Sequence, residues 1–150
     1  MATEQKARPA QPVLIVDDDQ ESLFALVVTL RSAGITNLRT VSDSTSVPAM
    51  LANESFSLLL LDLNMHGLTG HAVLQKTAGL KGRPPVIIVT GSSRPGDLTA
   101  RAWDGVVDCL AKPVDRDRLV RVVRTALAGG RIPRGAPRKR RLSSQKEAEA

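Results

Sequence analysis

The 150-residue sequence predicts a doubly wound α/β domain, a parallel sheet with helices on both faces, and three observations carry that expectation. Val13-Leu-Ile-Val16, Leu58-Leu-Leu-Leu61 and Val86-Ile-Ile-Val89 are short apolar runs without polar alternation, the pattern of strands buried on both faces. Segments of helical period separate them. Each run closes on a polar residue, Asp17, Asp62 or Thr90, so one edge of the sheet collects the chemistry.

Taken in order, Val13–Val16 is the first strand and Asp17-Asp18-Asp19 closes it, with Asp19 placed to cap a helix. From Gln20 the apolar residues Leu23, Leu26, Val27 and Leu30 recur at helical spacing, and Gly34 follows where a helix stops. Leu38 to Val41 is a weaker strand. Asp43 to Asn53 reads as one short helix with Pro48 near its first turn. After Leu58–Leu61, Thr69 caps a helix running to about Ala78, which Gly79 and the Gly82-Arg-Pro-Pro85 break end. Val86–Val89 gives the fourth strand, and a short helix is expected from about Asp97 to Trp103. Val106 to Leu110 is the fifth strand, leading into Lys112-Pro113, a peptide bond of the type that tolerates cis. Asp115 caps a last helix with Leu119, Val122, Val123, Ala126 and Leu127 as its buried stripe, ended by Gly129-Gly130. Five strands and five helices thus fill residues 13–130. Residues 1–12 are expected to be a disordered lead and residues 131–150 a basic disordered tail.

Composition excludes several classes. No apolar run approaches the length of a membrane span, and the polar, Pro-containing start is unlike a signal peptide, so no membrane partner and a cytoplasmic location are expected. Cys109 is the only cysteine, which rules out an internal disulfide and argues against a structural zinc site. The net charge of +6 lies outside the folded part: residues 13–130 hold twelve Lys/Arg and twelve Asp/Glu, whereas residues 131–150 hold seven bases and two acids. With Arg116, Arg118, Arg121 and Arg124 on the outer side of the last helix, that tail forms a basic stripe suited to an acidic partner or nucleic acid, or to a solvated linker. Aromatic interleaving for base stacking is absent. His66 and His71 read as surface residues, and Trp103 as a contact anchor or partial core residue.

The strand ends hold Asp17 and Asp18, Asp62, Thr90 and Lys112. Three carboxylates brought together repel one another, and a divalent cation offsets that cost. Hard oxygen ligands suit Mg2+ better than zinc or a soft metal. Lys112 adds positive charge and Thr90 a hydroxyl, so the group fits a tetrahedral oxyanion, with Asp62 as the nucleophile of a phosphoryl transfer giving an aspartyl phosphate.

Asp17-Asp18, Asp62-Leu-Asn-Met-His-Gly-Leu-Thr-Gly70, Thr90-Gly91 and Lys112-Pro113, in this order and spacing, resemble the receiver domain of bacterial two-component response regulators, over roughly Val13 to Ala128. The resemblance implies a flavodoxin-like fold with strand order 2-1-3-4-5, and a phosphorylation switch in which Asp62 accepts phosphate from a histidine kinase or phosphotransfer protein. It further implies that Asp18, the Asp62 carboxylate and the Asn64 main-chain carbonyl hold Mg2+, with Asp17 helping through water. Thr90 and Lys112 would contact the phosphoryl oxygens, and Asn64 and Ser92 would flank the path of an attacking water. Such a protein catalyses only its own phosphorylation and dephosphorylation, and its output is a contact with a downstream protein target.

Three departures stand out. His66 occupies the family's usual proline position, Cys109 the usual aromatic switch position three before the lysine, and Arg94-Pro95-Gly96 interrupts the start of the fourth helix. Two other readings remain at this point. One is a receiver fragment of a longer regulator with a downstream output domain. The other is a small Mg2+-dependent phosphatase or flavin-binding relative; the phosphatase lacks an acid two residues after Asp62, and the flavin protein lacks a phosphate loop after the first strand.

Overall fold

Leu58–Leu61 is the middle strand of a five-stranded parallel sheet in the computed structural model, which describes residues 11–91 and 104–129. The strands are β1 (Val13–Val16), β2 (Leu38–Val41), β3 (Leu58–Leu61), β4 (Val86–Thr90) and β5 (Val106–Ala111), in the order β2-β1-β3-β4-β5. The α-helices among the described residues are α1 (Gln20–Ser32), α2 (Val47–Asn53), α3 (Gly70–Thr77) and α4 (Arg116–Leu127). The helix expected at Asp97–Trp103, the Arg94-Pro95-Gly96 break and the tail lie outside the described residues.

Alternation along each strand splits the core into two layers. Leu14, Val16, Leu59, Leu61 and Ile88 face α2 and α3 through Val47, Leu51, Val73 and Leu74. Val13, Ile15, Leu58, Leu60, Ile87 and Val89 face α1 and α4 through Leu23, Leu26, Leu30, Leu119, Val122 and Val123. All four residues of β3 are at most 1% exposed, so each leucine contributes about 1.5–3 kcal/mol of burial. This explains why the apolar runs do not alternate: both faces are covered.

The caps follow the sequence. Asp19, Thr69 and Asp115 accept from the backbone N–H of Ser22, Ala72 and Arg118 at 3.1, 3.1 and 2.9 Å, each worth about 1 kcal/mol. Two expectations change. The Asp43–Asn53 segment is a 3-10 turn, Ser44–Ser46, followed by α2, because the Asp43 side chain caps Thr45 N–H (3.0 Å) and Pro48 sits in the first turn of α2. Leu127 is 39% exposed rather than buried, since at 3.6 residues per turn it stands roughly 90° round the helix from the stripe of Leu119, Val122, Val123 and Ala126.

One irregularity sets the functional edge. Val86 pairs with Val106 but Ile87 pairs with Asp108, so Val107 is an extra residue on β5 and the register shifts by one. That shift brings Thr90 opposite Ala111 and leads Lys112 N–H to the Thr90 carbonyl at 2.9 Å.

Candidate functional site

Backbone pairing continues one residue past the strands and gathers the polar ends. Asp17 N–H donates to Val41 O (3.2 Å) and Asp62 N–H to Val16 O (3.1 Å), so the two acids leave adjacent strands side by side. One oxygen from each of Asp17, Asp18 and Asp62 lies within 4.8 Å of the others. Asp17 and Asp62 are buried and Asp18 is half-buried. Asp62, at the end of its strand, is only 6% exposed. Burial of acids this close requires compensating positive charge.

Lys112 is the described residue that supplies it. Its Nζ lies 2.6 Å from Asp17 Oδ2, 3.4 Å from Asp62 Oδ2 and 3.2 Å from Ser22 Oγ. Burial pushes the Asp17 carboxyl above its ordinary value, more than the hydrogen bond from Lys112 draws it down. For the ammonium the balance is reversed. Burial alone would lower Lys112, but its hydrogen bond to Asp17 and the Asp62 charge together raise it, so it stays protonated. The Lys112–Pro113 peptide is cis.

Asp18 is held differently. The backbone N–H of His66 donates to Asp18 Oδ2 at 2.8 Å, and His66 Nδ1 lies 2.8 Å from the same oxygen. The backbone bond first, outweighing the small desolvation, holds the Asp18 carboxyl below its ordinary range. On the other side of the acids, Asn64 N–H donates to Asp62 Oδ1 (3.2 Å) and its side-chain amide to the Thr90 hydroxyl (3.4 Å). Thr90 is fully buried at the end of β4.

Asp17, Asp18, Asp62, Asn64, Thr90 and Lys112 therefore meet at one edge. Cys109 does not join them. It is half-buried on β5 and packs against the core layer under α2 and α3. Of the basic stripe on α4, Arg118 reaches Asp108 at 3.4 Å and Arg124 donates to the Ala33 carbonyl at 2.6 Å, so two of its four arginines are engaged within the domain.

Two residues to which the sequence reading gave no individual role position this edge. Ser44 Oγ is buried, donates to Leu68 O (2.7 Å), lies 3.1 Å from His66 O, and accepts from Leu68 N–H (2.9 Å). It pins the loop after Asp62; the Asp43-Ser44 turn signal carried a hint of this but not the partner. Gly70 is the second. Its N–H donates to Leu63 O (3.0 Å), and a Cβ there would collide with the Asp62 carbonyl oxygen and sit 2.7 Å from Leu63 Cα. Gly70→Ala is expected to cost about 3 kcal/mol, because the clash is with backbone that cannot give way. Chemical denaturation would measure it, and an unchanged midpoint would show that the loop yields.

A three-layer sheet of this strand order, with acids, hydroxyl and lysine on successive strand ends, defines a signalling receiver. The chain belongs to the response regulator receiver domain family, which it matches over residues 13–124. It is 32% identical over 117 residues to the C4-dicarboxylate transport transcriptional regulatory protein DctD of Rhizobium meliloti, covering 78% of this chain and 25% of that protein. With the DNA-binding transcriptional regulator NtrC of Salmonella typhimurium the identity is 34% over 116 residues, 77% of this chain and 24% of the relative. The chain thus spans about a quarter of the length of these relatives. A CheY-like receiver domain protein from Methanospirillum hungatei superposes with a TM-score of 0.71 at 25% identity, over 81% of this chain and 96% of that one. The receiver domain of the sensor histidine kinase PA1611 of Pseudomonas aeruginosa, solved with magnesium in its active-site cleft, has a TM-score of 0.70 at 24% identity, over 80% and 99%. Among the described residues, no helix is long and apolar enough to cross a membrane.

Proposed function

We propose that this receiver is a phosphorylation-controlled switch in which Asp62 takes a phosphoryl group from a histidine kinase or phosphotransfer protein. The observation that carries the reading is the meeting of Asp17, Asp18 and Asp62 with Lys112 at one strand edge. Three carboxylate oxygens, two of their residues buried, fit a hard divalent cation, and the magnesium of the structurally similar PA1611 receiver supports Mg2+. Asp17, Asp18, Asp62 and the Asn64 carbonyl would hold it, and when bound it would neutralise charge on the transferring phosphoryl group.

Asp62 supplies the nucleophile: a carboxylate oxygen forms the new P–O bond as the donor's P–N bond breaks and the donor imidazole leaves. Lys112 is close enough to both Asp17 and Asp62 to turn toward a phosphoryl oxygen on Asp62. The Thr90 hydroxyl, already within reach of the Asn64 amide, donates to a second oxygen. Asn64, not an acid, stands two residues after Asp62, so nothing at that position protonates a leaving alcohol, which disfavours phosphatase turnover. Incubation with acetyl phosphate and Mg2+ is expected to add one phosphoryl mass per chain, and chelation by EDTA to prevent it. Continuous phosphate release without a stoichiometric adduct would reject the switch in favour of the phosphatase.

The output is a contact with a downstream protein, altered when Thr90 moves toward the phosphoryl group. Thr90 pairs with Ala111 and its carbonyl receives Lys112 N–H, so its movement passes directly to β5 and the start of α4. Thr90→Ala is expected to accept phosphate yet lose most of the phosphorylation-induced amide shifts along Val106–Ala111. Full-sized shifts in that variant would exclude Thr90 as the relay. The DctD and NtrC relatives, of whose length this chain spans about a quarter, are regulators of transcription.

A further inference from the structure

We infer that His66 is a positioning residue for the cation site, using both its main-chain N–H and its ring to orient Asp18; this rests on the proposed Mg2+-dependent switch. Both groups of residue 66 contact the same oxygen, Asp18 Oδ2, each at 2.8 Å. An ionised carboxylate only accepts, so the ring nitrogen facing it is the Nδ1–H donor. With Oδ2 held by two donors, the Asp18 carboxylate is fixed in rotation within the cluster it forms with Asp17 and Asp62. Hydrogen bonds of this kind to a ligating carboxylate set its aim and thereby metal affinity.

The loop is built to keep residue 66 in place. Leu63 and Met65 are buried in the core layer beneath α2 and α3, and Ser44 Oγ lies 3.1 Å from the His66 carbonyl. The main chain at residue 66 is therefore anchored on both sides, while the imidazole itself stays in solvent, with its side chain 99% exposed. A ring with that exposure contributes nothing to the core. Among the described residues its hydrogen-bond partner is the Asp18 carboxylate, so its effect is exerted on that ligand. A proline at this position would remove the N–H and the ring donor together. Asparagine would return a donor close to where Nδ1 stands.

The test is a Mg2+ titration of the full chain followed by the amide shifts of residues 17–19 and 62–64, with thermal melting in EDTA as the control for folding. His66→Ala keeps the N–H and is expected to weaken Mg2+ about threefold, His66→Pro about tenfold, at the low end for outer-sphere partners because the ring is exposed. His66→Asn is expected to bind within about twofold of the wild type, since it restores the ring's donor. Equal or tighter binding by the alanine variant, or an asparagine variant no better than alanine, would overturn the positioning role while leaving the switch intact. Wild-type protein that shows no Mg2+-dependent shifts would overturn the cation site itself, and with it this inference.

Discussion

Asp62→Asn is expected to yield a folded protein that acquires no phosphoryl group from acetyl phosphate and Mg2+, under conditions in which the proposed switch acquires one. The substitution is nearly isosteric at a position only 6% exposed, so the fold is retained. What changes is chemistry. The amide oxygen carries no negative charge and cannot serve as the attacking carboxylate, so uptake should fall below detection by intact mass. Asn64 N–H, which donates to Asp62 Oδ1, can donate equally to the amide oxygen, so the loop keeps its shape. The variant also removes one of the three clustered charges, and Mg2+ affinity should fall with it. A residual adduct of full stoichiometry would place the acceptor elsewhere, and peptide mapping would then locate it.

How much of this was readable in advance depends on the kind of interaction. The β3 strand and its neighbours were legible because burial on both faces leaves a purely apolar run, and Asp62 and Thr90 because each such run ends on a polar residue. Caps at Asp19, Thr69 and Asp115 were legible because they are local, spanning three residues. Ser44 was not, since its partners lie more than twenty residues away on the loop after Asp62. The grip of His66 on Asp18 was missed for the same reason: the two are 48 residues apart, and nothing in local spacing joins them. The bulge at Val107 has no sequence signature of its own, yet it decides that Lys112 arrives beside Thr90. Leu127 failed because a helical stripe was extended one position past the angle the core occupies.

Lys112→Ala is expected to destabilise the unphosphorylated fold through its buried acids. It leaves Asp17, with its side chain 2% exposed, and Asp62, at 7%, facing each other without the ammonium between them. Removing one member of a buried ion pair typically costs 3–5 kcal/mol, and because the Lys112 side chain is itself 23% exposed the loss should be about 3 kcal/mol at pH 7.5. Acid should relieve it. The Asp17 carboxyl is already raised by burial above 3.8, and losing the lowering contributions of Lys112 raises it further. A carboxyl whose folded value is raised favours folding when protonated. Its penalty is therefore absent below the unfolded value and grows as pH rises through the folded one. The gap between wild type and variant in urea unfolding should thus shrink to about 1 kcal/mol near pH 4. Adding Asp17→Asn to the variant should recover stability to within about 1 kcal/mol of wild type at pH 7.5, the coupling expected of direct partners. A gap that is the same at both pH values, and is untouched by Asp17→Asn, would mean that Lys112 stabilises the domain through its packing and not through the buried acids.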